Sequence, residues 1–155
     1  IVHQDLKPSN LLLKKNGSVA ISDFGVSEKS VGSQGNLLDV AGTPAFQAPE
    51  LQRASSNDTY ISGFAADMWS LGVIVFVFLT GKLPFWGTDS LELANSILYD
   101  EIHIPAIITN EKVKKLIHSL LERTISKRLT IKQTILDPKS FRKSTNVGYK
   151  SQKNI

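Results

Sequence analysis

"HQDLKPSNLLLKKNGSVAISDFG", residues 3–25, is the stretch on which the fold turns. Two apolar triplets, Leu11 to Leu13 and Val19 to Ile21, stand on either side of Asn16-Gly17, a dipeptide suited to the positive backbone angles of a tight hairpin. The spacing predicts a small two-stranded ribbon. A hairpin returns the chain to where it started, so the segments flanking the ribbon meet. They carry Asp5, Asn10 and Asp23 to one place. Two oxygen ligands plus a free carboxylate suit a hard cation that bridges phosphates.

Working outward, 155 residues at 41% hydrophobic and 21% charged suffice for one globular domain with a real core. The absence of cysteine excludes a disulfide framework and a thiolate metal site, and is compatible with a reducing compartment. The sequence starts at Ile1 and shows no signal peptide; it reads as a fragment, with targeting signals upstream left open. The net charge of +4 comes from the end of the chain: residues 139–155 hold Lys139, Arg142, Lys143, Lys150 and Lys153 and no acid. The body before them is near neutral, which is the signature of a solvated, flexible basic tail and not of a nucleic-acid-binding face.

The most apolar run is "MWSLGVIVFVFLTG", Met68 to Gly81. A helix apolar on all sides is buried in protein or in lipid. A membrane span needs about 20 apolar residues. This run is shorter and has Asp67 at its start, so it is expected to be the central core helix, with no membrane span. "SLELANSILYD" and "EKVKKLIHSLLER" space apolar residues three and four apart, the second with a stripe of Val113, Leu116, Ile117, Leu120 and Leu121. His118 beside the stripe is expected to be structural. Ser27 to Ala41, rich in Ser, Gly and Asn without a steady period, is expected to be a loop.

His3 to Asn10, Asp23 to Gly25 and Ala48 to Glu50 match, in order and spacing, the signature H-R-D-x-x-x-x-N, D-F-G and A-P-E, and "DMWSLGV" and a late Arg128 follow. On these residues the chain resembles the protein kinase family over residues 1–137, with the basic tail at 138–155 outside the resemblance. The resemblance implies the C-terminal lobe of the kinase fold: mainly α with a short β ribbon, and half of a nucleotide cleft. A Gly-rich phosphate loop, a strand lysine and its partner glutamate belong to an N-terminal lobe that these residues do not include. The fragment alone is therefore expected to be inactive.

The resemblance also assigns roles. Asp5 would orient the acceptor hydroxyl and take its proton, and Lys7 would neutralise the γ-phosphate of ATP. Asp23 and Asn10 would hold the Mg2+ ions that bridge the phosphates. His3 would support the backbone of the "DFG" segment, Asp67 would be structural, and Glu50 and Arg128 would form a buried ion pair. "DLKPSN" resembles the serine/threonine kinases. Thr43 in "GTPAFQAPE" agrees, being the threonine that bonds to the catalytic Asp and Lys and shapes the substrate-docking loop in that family.

One departure stands out. Gln4 occupies the position where most regulated kinases have arginine, and an amide cannot supply a bidentate cationic clamp for a phosphorylated activation loop. Ser27, Ser30 and Ser33 are candidate modification sites in that loop. "SDFGVSE", "GTPAFQAPE", "SGFAADMWSLGV", "GKLPFWG" and "RLTIKQ" resemble the liver kinase B group most, and the calcium/calmodulin-dependent kinase kinases next. Both groups phosphorylate other kinases, which makes a downstream kinase the expected protein substrate. The first group also implies a pseudokinase adaptor and a scaffold as partners. A cytoplasmic location, with the nucleus as a second site, is expected. A pseudokinase scaffold without turnover is the alternative; it would commonly have lost the base or a metal ligand, and Asp5, Asn10 and Asp23 are all present.

Overall fold

A computed structural model describes residues 1–29, 36–37, 40–53 and 61–136, and the proposed basic tail and Ser30 and Ser33 lie outside them. The architecture is mainly helical with a short antiparallel ribbon, the C-terminal-lobe arrangement expected. The ribbon pairs β1 (Leu11–Leu13) with β2 (Val19–Ile21), with Leu12 opposite Ala20. Its turn differs from a two-residue hairpin. Gly17 alone takes a positive φ there, 81°; its N–H returns to the Lys14 carbonyl at 2.9 Å, and Lys14 N–H reaches Ser18 O at 2.8 Å. The chain thus turns over Lys14–Gly17 and closes on a left-handed glycine, the longer of the common hairpin solutions. Asn16 contributes through its side chain, which accepts from the Ser18 amide at 3.0 Å.

The core is built around α2 (Gly63–Thr80), which begins five residues before the apolar run at Met68. Half of this helix is buried within the protein. Trp69 is fully buried and stacks on Phe85 with ring centres 5.6 Å apart. Against α2 lies α4 (Glu111–Leu120), whose N-terminus is capped by the Asn110 side chain accepting from the Lys112 amide at 2.9 Å. The crossing is close: a Cβ on Gly72 would stand 2.8 Å from Leu120 Cβ, so a methyl group there would push the two helices apart. Ile117, Leu120 and Leu121 are buried and Val113 packs on the core, as the stripe requires. His118 is exposed, because one residue beyond Ile117 is a 100° rotation away from the buried face.

Three further helices belong to the described lobe. α1 (Pro49–Arg53) follows the docking segment, and α3 (Ser90–Tyr99) is capped by Asp89, whose carboxylate accepts from the Glu92 amide at 2.8 Å. A last helix, α5, spans Ile131–Leu136. The Ser27–Ala41 segment contains more structure than a loop. Val2 and Glu28 exchange backbone hydrogen bonds of 2.9 and 3.1 Å, and β3 (Asn36–Leu37) pairs antiparallel with β4 (Ile61–Ser62) just before α2. Strands this short carry no readable period, since their pairing depends on partners 26 and 24 residues away.

Candidate active site

The site starts at α2. Asp67 points its carboxylate at the backbone entering the site, accepting from His3 N–H at 2.8 Å on one oxygen and from Gln4 N–H at 3.0 Å on the other. Burial raises its pKa above the usual aspartate range, and these two amide bonds only partly offset the effect. Gln4 adopts φ 68°, a left-handed conformation uncommon for a residue with a side chain. Its pinned N–H holds that bend, which turns the chain so that Asp5 faces out of the core.

His3 fixes the other side of the bend. Its Nδ1 accepts from Asp5 N–H at 3.3 Å, so the proton sits on Nε2, 3.0 Å from the Ser22 carbonyl, to which it donates. The ring also lies against Phe24, centres 4.9 Å apart. The imidazole therefore joins the Asp5 backbone to the residue before Asp23.

Asn10 makes the second junction. It is 6% exposed, and its Nδ2 donates to the Asp5 carbonyl at 2.9 Å. Its own carbonyl accepts from both Ser22 N–H (2.9 Å) and Ser22 Oγ (3.2 Å). With the amide nitrogen committed to Asp5, Oδ1 is the ligand atom that remains. Asp23, next to Ser22, is exposed and adopts φ 62°, with Gly25 N–H 3.4 Å from its Oδ1. Asp5, Asn10 and Asp23 are thus joined through two hydrogen-bonded steps at the foot of the ribbon. One carboxylate and one amide oxygen form a sparse hard-oxygen set. That suits Mg2+, which keeps several waters and takes phosphate oxygens, better than a cation needing a full protein cage.

The Asp5 carboxylate is held on both oxygens. Thr43 donates to Oδ1 from its hydroxyl (2.7 Å) and its amide (2.9 Å), and Lys7 Nζ lies 2.7 Å from Oδ2 and donates to Thr43 Oγ1 at 3.0 Å. Partial burial opposes ionisation of Asp5. The hydrogen bonds from Lys7 and Thr43, with the charge of Lys7, outweigh it and hold the carboxyl below its usual range. Two of the three ammonium donors of Lys7 are taken in this way. Gly42 makes the approach of Thr43 feasible: at φ 100° it crosses over Gln4, where a Cβ would meet the Gln4 carbonyl oxygen at 2.2 Å. No side chain fits that crossing.

Glu50 and Arg128 form the expected pair, two parallel bonds of 2.6 and 2.8 Å, with Arg128 2% exposed. The guanidinium also donates to Ala65 O (2.8 Å) and Glu122 O (2.7 Å) and lies over the Trp69 ring. It fastens α1 to α2. Gln4 sends its Nε2 to Val26 O at 3.2 Å, and its buried Oε1 has no partner among the described residues.

Comparison with known proteins decides the family. The protein kinase domain model matches residues 1–138. The chain belongs to the protein kinase family. Relatives include the serine/threonine-protein kinase ppk34 of Schizosaccharomyces pombe, 36% identical over 89% of this chain and 38% of the relative. The calcium/calmodulin-dependent protein kinase kinase of Caenorhabditis elegans is 42% identical over 84% of this chain and 24% of its own length. CBL-interacting protein kinase 5 of Oryza sativa is 38% identical over 89% and 29%. The chain thus spans between about a quarter and two fifths of the length of these kinases.

Three residues of this candidate site have no role assigned from the sequence, although Ser70 stands in "DMWSLGV" and Gln47 in "GTPAFQAPE". Ser70, buried on α2, donates to the Phe46 carbonyl at 2.8 Å and holds the Pro44–Phe46 turn, and Gln47 and Gln52 bond to each other beside it. Ser70 announces itself only as a polar residue inside an apolar helix.

Proposed function

We propose that the complete protein carrying this chain is a serine/threonine protein kinase that transfers the γ-phosphoryl group of ATP to a Ser or Thr hydroxyl of another kinase. The observation that carries this reading is the clamp of Thr43 and Lys7 on Asp5. It leaves an ionised carboxylate, fixed in direction, beside a cation with one donor to spare. The acceptor hydroxyl oxygen forms a bond to the γ-phosphorus as the bond from that phosphorus to the bridging oxygen breaks, and the proton moves to Asp5. A carboxylate of low basicity orients the hydroxyl first and receives its proton late, once the forming P–O bond has made it acidic. Lys7 offsets charge on the transferring group with its remaining donor. Asp23 and Asn10 would hold Mg2+, which supplies charge neutralisation across the phosphates. Thr43 sets the floor on which the acceptor docks.

The "PAFQAPE" and "SGF" segments support a place in the liver kinase B group, with a pseudokinase adaptor and a scaffold as partners and a cytoplasmic and nuclear location. The name of the Caenorhabditis elegans relative supports a kinase as acceptor. Residues 1–137 act as the C-terminal lobe and 138–155 as a basic tail, and the lobe by itself holds only half the nucleotide site.

The test is Asp5→Asn in the complete protein, assayed on a threonine in the activation loop of a downstream kinase. Turnover should fall about 10²- to 10⁴-fold with the fold and nucleotide affinity retained. Full turnover in a folded Asp5→Asn protein would remove the assignment.

A further inference from the structure

The segment that delivers Thr43 to Asp5 is held from behind by two glutamines. Gln47 Nε2 donates to the Ala41 carbonyl at 2.9 Å and lies 3.4 Å from the Gly42 carbonyl. Its Oε1 accepts from Gln52 Nε2 at 3.0 Å. The second bond fixes the first: with a donor facing Oε1, the Gln47 amide must present its NH2 to the two carbonyls. Gln52 sits on α1, whose Pro49 and Leu51 are buried and whose Glu50 is locked to Arg128. A line of contacts therefore runs by hydrogen bonds from α1 through Gln52 and Gln47 to Ala41 and Gly42, along the backbone to Thr43, and by hydrogen bonds again to the Asp5 carboxylate.

We propose that Gln47, oriented by Gln52, is a positioning residue that holds the Ala41–Thr43 crossing in its acceptor-binding shape without a phosphate. The physical grounds are two. The crossing is geometrically intolerant, since Gly42 passes over Gln4 O with no room for even a Cβ, so a small shift of Ala41 or Gly42 moves Thr43 off Asp5. The brace is also neutral at both ends, unlike a cationic clamp, and so works whatever the phosphorylation state. Gln4 does the same at the start of the segment through Val26 O.

The proposal rests on the kinase reading above, and two readouts keep them apart. In the complete protein, Gln47→Met removes the amide at similar volume. It should raise KM for the protein acceptor about five- to tenfold, the worth of one or two net hydrogen bonds, with KM for ATP and the melting temperature unchanged. Gln52→Met should give a smaller rise, and the double variant no more than Gln47→Met, because Gln52 acts through Gln47. In parallel, hydrogen exchange of the Thr43 amide should accelerate in Gln47→Met whether or not the protein turns over. A complete protein without kinase activity but with this acceleration would sink the kinase reading and keep the brace. Unchanged Thr43 exchange, an unchanged acceptor KM in an active enzyme, or a matching rise in both KM values would overturn the brace.

Discussion

Thr43 places two donors on one oxygen of Asp5, its amide at 2.9 Å and its hydroxyl at 2.7 Å. The amide bond is a property of the backbone crossing; the hydroxyl bond can be deleted alone. Thr43→Val keeps the shape and the amide bond, and leaves Lys7 without its second acceptor. A hydrogen bond to a charged group is worth about 1.5–3 kcal/mol, so kcat of the complete enzyme should fall about 10- to 100-fold. Thr43→Ser should restore most of it. Steady-state kinetics on both variants, with circular dichroism as the check on folding, decides the point.

The same clamp fixes a pH dependence. The Asp5 carboxyl is lowered in the folded chain, so the unfolded chain binds its proton first as pH falls. Its contribution to stability is fully present above the ordinary aspartate value of about 3.9 and is lost as pH drops through the lower folded value. Asp67 has the opposite sign. With its pKa raised, the folded chain holds that proton longer, so Asp67 lowers stability progressively as pH rises through its folded value. A carboxyl carbon-13 titration of the chain should show Asp5 titrating below the normal midpoint and Asp67 above it. Coincident midpoints would contradict the clamp on Asp5 and the burial of Asp67.

Much of this was legible because the chemistry sits on local spacing. The positions of Asp5, Asn10 and Asp23 follow from the short hairpin Leu11–Ile21 between them, and the Val113–Leu121 stripe follows from helix period. The β3–β4 pair and the turn over Lys14–Gly17 were not legible, the first because its strands are two residues long, the second because Asn16-Gly17 suits two turn geometries equally. His118 lies exposed off the stripe for a simpler reason: adjacency to a stripe in sequence is not adjacency on a helix surface. The bracing by Gln47 and Gln52 was not legible, although Gln47 stands in "GTPAFQAPE", since an amide that braces a backbone looks the same in sequence as one facing water.

Glu50 and Arg128 stand 78 residues apart and meet in two bonds that close the lobe. Glu50→Gln keeps the shape but leaves Arg128 short of a counter-charge while still buried. Breaking one side of a buried pair costs about 3–5 kcal/mol. Urea unfolding of the 155-residue chain should show that loss, a large part of a small domain's total stability. Arg128→Met added to Glu50→Gln should recover some of it by removing the stranded charge, and an additive double loss would show that the guanidinium matters through Ala65, Glu122 and Trp69 instead.

Gln4 bears on regulation. A phosphate on the activation segment orders a kinase by pairing with a cation next to the catalytic aspartate. Here that neighbour is an amide, held to Val26 O at 3.2 Å, which can offer a phosphate neither charge nor a bidentate grip. On the proposed reading, order then comes from neutral bonds and from a partner that binds the active shape more tightly than the inactive one. The complete enzyme should therefore keep most of its activity on a downstream kinase after phosphatase treatment, and lose it when its partner proteins are stripped away. Gln4→Arg should make activity newly sensitive to phosphatase, because it supplies the missing cation at the same bend. Near-total inactivation of the unsubstituted enzyme by dephosphorylation, with partners still bound, would mean that some other basic residue grips the phosphate and that the amide at Gln4 does not set the mode of control.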